Sequence, residues 1–362
     1  MSVSVKSENL KMIGELSDAK GVSGFEDEVL EVARKYAEGF ADIEEDCLRN
    51  LYLRRRANTG GKPVFLLDAH SDELGFMVHS IRENGTLRFI TLGRWGANVL
   101  PGSKVMVRNA EGRYLPGIIG AKPAHFMTET ERAKGVISIS DLSIDIGARS
   151  MKEAVEDFKI RIGEPVVSDV TFAYDREHDL MFGKAFDCRI GCAALLETMR
   201  RLANEELSVD VVGVLSSQEE VGKRGVQVAV RKVNPQIALC FEGCPADDTF
   251  APSYAVQTAL KKGPMLRFMD QSVICSPRYQ RYALDLAEKK GLAVQASVRE
   301  GGGNNGAIVN TAMDGVPVIV AGVPARYTHS HYGMTSYYDF EASVRLAVEL
   351  VKTMTREIIE SF

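Results

Sequence analysis

No apolar stretch in this chain approaches the roughly 20 residues that a membrane-spanning helix needs. Positive charge is short as well. Lys and Arg number 44 against 49 Asp and Glu, a net charge of −5, so neither nucleic acid nor an anionic membrane is an expected partner. Cysteine is sparse: Cys47, Cys188, Cys192, Cys240, Cys244 and Cys275 are six in 362 residues, too few for a disulfide framework. The first residues, MSVSVKSENLKMIG, lack a basic segment followed by an apolar one. No secretory signal is read there, and a cytoplasmic chain with reduced thiols is expected. Cys188/Cys192 and Cys240/Cys244 are too loosely spaced for a four-thiolate zinc site, so buried free thiols are the preferred reading. Internal repeats and low-complexity tracts are missing too.

What remains is an ordinary globular composition, 45% hydrophobic and 26% charged, long enough for more than one domain. In GVSGFEDEVLEVARKYAEGF, Ser23 and Glu26 stand three apart as a capping box. Val29, Leu30, Val32, Ala33 and Tyr36 come next at helical spacing. KPVFLLDAH reads as a buried strand ending at His70. From about Gly75 to Gly163 the texture changes to short alternating segments, GFMVHSI, LRFITL, SKVMVRN and YLPGIIG. Turn signals such as Asn84-Gly85 divide them. A continuation of the main sheet competes with a compact β-rich insert, and the long gap without strand–helix units favours the insert. Beyond Val166 the alternation of strands and helices returns. DCRIGCAALLETMRRLAN is a helix opened by Asp187, and SPRYQRYALDLAEKKG a helix stopped by Gly291. The last helix is expected to be capped by Asp339, and SVDVVGVLSS, QIALCFEG and VPVIVAGVP are buried strands. The expected fold is α/β: a three-layer sandwich with a mixed, largely parallel central sheet, plus an inserted small β-barrel-like domain. Sites in such sheets form at the carboxyl ends of the strands.

The residues just past those strands share one chemistry. VFLLDA leads to His70 and Asp72, VGVLSSQ to Glu219 and Glu220, QIALCF to Glu242, and VIVAGVPARYT to His329 and His331. Asp187 opens a helix after MFGKAF. Taken singly, each has an ordinary reading: a strand-end hydrogen bond, a helix cap, a solvated loop acid. Taken together on one sheet edge, the carboxylates repel unless something positive lies between them. A pair of divalent cations is the natural neutraliser, and His nitrogen with carboxylate oxygen suits zinc, cobalt or manganese.

The motifs AHSDELGFMV, DCRIG…LLE, SQEEVGKRGVQVA, EGCPADD, GGGNNGAI and RYTHS resemble, in that order, those of the tetrahedral aminopeptidases. That family consists of dinuclear metallopeptidases with glutamyl, leucyl and lysyl aminopeptidases among them. The stretch IGAKPAHFMTETERAKG…DLSIDIGARS is similar to the family's inserted β domain. The resemblance implies a metal-dependent aminopeptidase acting on short peptides. It implies one metal ion on His70, Asp187 and Glu242 and a second on Asp187, Glu220 and His329, with Asp187 bridging. Asp72 would hold His70 in its tautomer, and Glu219 would be the general base, free of metal beside the ligand Glu220. It further implies residues 1–74 and 166–362 as the catalytic domain, with 75–165 as an inserted dimerisation domain. Dimers would build a tetrahedral dodecamer.

Several positions depart from the family's pattern. Cys188 stands where Asn is common, and simple tolerance of the thiol is preferred over metal binding or oxidation sensing. Asn304 stands where an acid is expected, and His331 where His is unusual, read as a polar rim position. His79 and His178 are read as structural and surface residues, while the role of His125 is left open. A related metallo-deacylase or carboxypeptidase, and a catalytically inactive assembly subunit, are the competing functions. A cellulase is disfavoured because no separated acid pair for glycoside cleavage is evident.

Overall fold

Strand alternation decides which side of the central sheet each residue faces. The structure is a computed structural model describing residues 3–133, 135 and 137–362. Met1, Ser2, Lys134 and Val136 lie outside the described residues. They include the very start of the chain, where no signal is read, and one position of the IGAKPAHF…ERAKG stretch. Strands β1 (Ala41–Glu45), β2 (Leu51–Arg55) and β3 (Val64–His70) begin the central sheet. Then β4 (Gly75–Ile81), β5 (Leu87–Leu92), β6 (Lys104–Arg108), β7 (Tyr114–Gly120), β8 (Ser143–Asp145) and β9 (Pro165–Ser168) close into a barrel, in the order β4-β5-β8-β7-β6-β9. The chain returns to the sheet with β10 (Ala173–Asp175), β11 (Leu180–Gly183), β12 (Asp210–Ser216) and β13 (Ile237–Pro245). It finishes with β14 (Met265–Met269), β15 (Gln295–Val298), β16 (Val318–Arg326) and β17 (Gly333–Ser336).

The sheet has 11 strands, in the order β1-β2-β12-β3-β13-β16-β17-β11-β10, with β14 beside β16 and β15 beside β14. Its centre, β12-β3-β13-β16, is parallel, and antiparallel pairs flank it on both sides. Phe65, Leu67 and Ala69 of β3 pack on one face, with the helices Val3–Asp18, Asp27–Ala37, Phe186–Leu202 and Tyr337–Thr353. Leu66 packs on the other, with the helices Arg224–Val233 and Gly306–Asn310. This is the expected three-layer sandwich. The barrel has its own core, in which Phe76, Val78, Leu87, Val107, Ile119 and Val166 are buried. Among the described residues no helix is long and apolar enough to cross a membrane.

Two caps differ from expectation. Ser23 does not cap the helix Asp27–Ala37; Glu26 holds that position without a side-chain cap, and the Ser23 hydroxyl donates to Asp72 Oδ2 at 2.6 Å. The expected last helix is two, Tyr337–Thr353 and a short Arg356–Glu360; the first is capped by Ser336, whose Oγ accepts the Asp339 N–H at 3.1 Å. Asp339 sits inside the first turn and accepts the N–H groups of Lys261 and Gly263 at 2.7 and 2.8 Å. The helix Pro277–Lys290 does stop at Gly291, whose φ of 61° suits a residue without Cβ.

Candidate metal centre

Four parallel strands put four carboxyl ends on one edge, and the register levels them: Ser216 of β12 lies beside His70 of β3, and Glu242 of β13 beside Gly322 of β16. Asp187 arrives from the start of the helix Phe186–Leu202. It does not act as a cap. The regular helix begins after it, because Ala185 is left-handed (φ 56°) and Asp187 and Cys188 have non-helical torsions. Gly243 lets this segment close on β13, since a Cβ there would lie 2.2 Å from the Phe186 carbonyl oxygen and 2.7 Å from the Asp187 nitrogen.

The structure brings together the five residues read as metal ligands. His70 Nε2 lies 3.2 Å from Asp187 Oδ1 and 3.6 Å from Glu242 Oε2, and His329 Nε2 lies 3.4 Å from Asp187 Oδ2. Two donor groups result, each with its ligand atoms within 4.8 Å of one another. The first is His70, Asp187, Cys188 and Glu242; the second is Asp187, Glu220 and His329. Asp187 belongs to both.

Asp72 organises the surroundings. Its Oδ1 accepts the Glu219 N–H at 2.9 Å and its Oδ2 the Glu220 N–H at 3.1 Å. Oδ1 also lies 3.3 Å from His70 Nδ1, which has the Asp72 backbone carbonyl at 3.1 Å as well. One buried carboxylate thus grips the turn carrying both glutamates and faces the rear of the first imidazole. The second imidazole is held from behind too, with His329 Nδ1 2.8 Å from the Arg94 carbonyl oxygen.

The electrostatics mark a cluster short of positive charge. Burial, with Asp72 and Asp187 close by, pushes the Glu219 carboxyl up to about 7; burial and Asp187 push Glu220 up to about 8. Burial drives Glu242 well above the ordinary carboxyl value, with Asp187 adding to it. For Asp187 burial acts upward too, yet hydrogen bonds from His329 and His70 hold it below its usual value. Burial would lower His329, but Asp187 and Glu220 raise it to about 9. A divalent cation among these carboxyls would act in the opposite direction and favour their ionised forms. Among the described residues Glu220 Oε1 is buried with no hydrogen-bond partner. This donor set fits divalent metal ions.

Sequence reasoning missed two supporting clusters. Glu73, Lys184 and Arg189 are all buried. Lys184 Nζ donates to Glu73 Oε1 and Oε2 at 2.6 and 2.8 Å, and Arg189 NH2 to Glu73 Oε1 at 3.3 Å. Arg189 Nε also donates to the Ser71 carbonyl at 2.8 Å. This cluster ties the loop after β3 to the segment that carries Asp187. On the other face, Asn305 Nδ2 bridges Asp68 Oδ2 at 2.7 Å and Ser216 Oγ at 2.8 Å. A single polar residue inside a largely apolar segment, as Asp68 in VFLLDA or Lys184 in MFGKAF, gave no periodic signal for either.

Of the remaining positions, Asn304 is buried and donates to Asp270 Oδ2 at 2.7 Å, beside Arg267 at 2.9 Å from the same oxygen. His331 is not a rim residue: it is buried, both ring nitrogens lack partners among the described residues, and its ring lies 5.3 Å from that of Trp95. Burial lowers it to about 4. His79, His125 and His178 are exposed, and among the described residues none joins a donor group. Cys47 is exposed and the other five thiols are buried and free. A cleft of about 1020 Å³ opens from the centre, lined by Arg94, Lys223, Phe250, Arg267 and Arg299 besides the five candidate ligands and Glu219.

The sequence pattern described as M42 glutamyl aminopeptidase matches residues 50–346. The chain is 32% identical to the glutamyl aminopeptidase of Lactococcus lactis, over 95% of this chain and 96% of that one. A TET aminopeptidase from a marine-sediment Thaumarchaeota archaeon superposes with a TM-score of 0.94 at 35% identity, covering 98% of this chain and 99% of its own. The TET1 peptidase of Pyrococcus horikoshii, which can assemble into a tetrahedron or a large octahedral shell, superposes with a TM-score of 0.85 at 30% identity. That match covers 96% of this chain and 100% of the other.

Proposed function

The chain belongs to the M42 glutamyl aminopeptidase family and is a metal-dependent aminopeptidase, and from that premise we propose that it trims short peptides at a centre of two divalent cations with Glu219 as general base. The observation that carries the reading is Asp187, shared by two donor groups. His70, Asp187 and Glu242 would hold one ion, and Asp187, Glu220 and His329 the other; zinc, cobalt or manganese suits these donors. Bound there, such ions supply Lewis acidity that sharpens water as a nucleophile and takes up charge on the attacked carbonyl.

The remaining work falls to the chain. Glu219 takes the proton from the attacking water and hands it to the departing amine. Its neighbour Glu220 is committed to holding metal, which is why two carboxylates stand at the end of one strand. Asp72 is a positioning residue: by accepting both glutamate N–H groups it keeps base and ligand in one turn. A charged α-amine is drawn to this carboxylate-rich edge, which restricts cleavage to the first residue of a peptide.

The assembly reading extends the P. horikoshii likeness. The insert, residues 75–165, would pair two catalytic units (1–74 and 166–362), and dimers would build a tetrahedral dodecamer in the cytoplasm. Phe126 and Ile162 in the insert are 72% and 70% exposed, apolar surface suited to burial between copies. The test uses metal-stripped protein given zinc, cobalt or manganese in turn, with amino-acyl chromogenic amides and matched acetylated peptides. Cleavage of free N-termini alone supports the proposal. Cleavage of acetylated substrates favours the deacylase or carboxypeptidase reading, and no cleavage with any metal favours an inactive subunit. A monomer alone by light scattering overturns the assembly.

A further inference from the structure

Cys188 has so far been given no role. Its side chain is fully buried beside the bridging aspartate, and its sulfur falls within 4.8 Å of the donor atoms of His70, Asp187 and Glu242. Among the described residues that sulfur makes one weak hydrogen bond, from Sγ to the Phe241 carbonyl at 3.3 Å. Gly191 leaves the room it occupies: a Cβ there would stand 2.4 Å from Sγ. We propose that Cys188 Sγ is a fourth protein ligand to the ion on the His70 side, so that this site is His70, Asp187, Glu242 and a thiolate. The inference rests on the two-ion reading above.

Its consequence is an asymmetric pair. Four protein donors close a tetrahedral zinc site, as in structural centres, while three leave a position open. The His70 side is therefore closed and the Glu220–His329 side keeps the open position. A thiolate also selects soft metals, so the closed site prefers zinc or cobalt to manganese. On binding, the thiol gives its proton to solvent and the sulfur lone pair forms the bond; nothing is oxidised or reduced.

The experiment loads metal-stripped protein with cobalt and with zinc, counting bound ions by elemental analysis. The cobalt form is expected to show a near-ultraviolet thiolate-to-cobalt band that is kept in Cys192→Ser and absent from Cys188→Ser. Cys192 is the control because its sulfur donates to the His70 backbone carbonyl at 3.0 Å. X-ray absorption at zinc in the parent, which needs no variant, is expected to show one sulfur for two ions at about 2.3 Å. Two bound ions with only nitrogen and oxygen neighbours, or a band that survives in Cys188→Ser, overturns the thiolate and leaves the two-ion reading standing. Fewer than two ions per chain overturns both.

Discussion

Asp72→Asn isolates the role of a single carboxylate at nearly constant volume. Asp72 is buried and accepts from Ser23, from the Glu219 N–H and from the Glu220 N–H. Burial would raise its carboxyl, but His70, Ser23 and the Glu219 N–H hold it below its ordinary value. An amide has one acceptor oxygen instead of two, so its NH₂ must face one of the two glutamate N–H groups. A buried donor left without an acceptor costs about 1–3 kcal/mol. Without metal the turn relaxes and avoids that cost; binding metal through Glu220 restores it. The cost therefore appears as weaker metal binding, about 5- to 150-fold at roughly 1.4 kcal/mol per tenfold. That spans the ~10- to 100-fold typical of partners behind metal ligands. His70 Nδ1 still has the Asp72 backbone carbonyl at 3.1 Å, so the loss should fall mainly on the Glu220–His329 ion. The assay is zinc titration of metal-stripped protein against a chelator of known affinity, resolved into two steps. If both steps of Asp72→Asn stayed within twofold of the parent, the reasoning would be wrong.

Four further outcomes are expected. Glu219→Gln keeps its metal, by elemental analysis, and loses about 10²- to 10⁴-fold in turnover, the usual worth of a general base; turnover at the parent rate would remove the assignment. Glu73→Gln strands the Arg189 guanidinium, which cannot shed its proton, and lowers the unfolding free energy by about 3–5 kcal/mol in urea melts; a loss under about 1 kcal/mol contradicts the buried-cluster argument. Gly243→Ala drives a methyl into the Phe186–Asp187 backbone and costs about 1–3 kcal/mol, with weaker zinc binding as the second readout; unchanged zinc affinity shows that Asp187 does not depend on this contact. Burial lowers the Lys184 ammonium to about 8 from 10.5. Between those values the folded chain holds fewer protons than the unfolded one, so stability rises with pH there, and Lys184→Met flattens the rise.

The cluster of candidate ligands was legible because its members come at the ends of apolar runs, and parallel strands deliver their trailing residues to one edge. Strand ends alone also offered Asp72, Glu219 and His331; it took the family resemblance to single out His70, Glu220, Glu242 and His329. Asp187 was legible as a residue but not in its placement: its position depends on a left-handed Ala185 and a glycine 56 residues later in the chain, at 243. Ser23 and Asp339 misled because a cap is decided by whichever donor or acceptor is nearest in space. For Ser23 that was Asp72, and for Asp339 the loop at Lys261 and Gly263. The cluster of Glu73, Lys184 and Arg189 was invisible for a different reason. Buried ion pairs join residues from unrelated segments and leave no periodic trace. His331, read as polar and peripheral, is instead packed beside Trp95.

Arg94 comes just after the second barrel strand, yet its carbonyl sets the tilt of His329, which comes after a strand of the sheet. Gly93, next to it, sits so close to Glu220 that a Cβ there would lie 3.2 Å from Oε2. A shortened chain that joined Leu74 directly to Asp169 would keep every donor atom of the centre and still lose this brace. The smallest working unit is therefore larger than the sheet and its helices, and any pull on the barrel from a neighbouring copy would be felt at an imidazole.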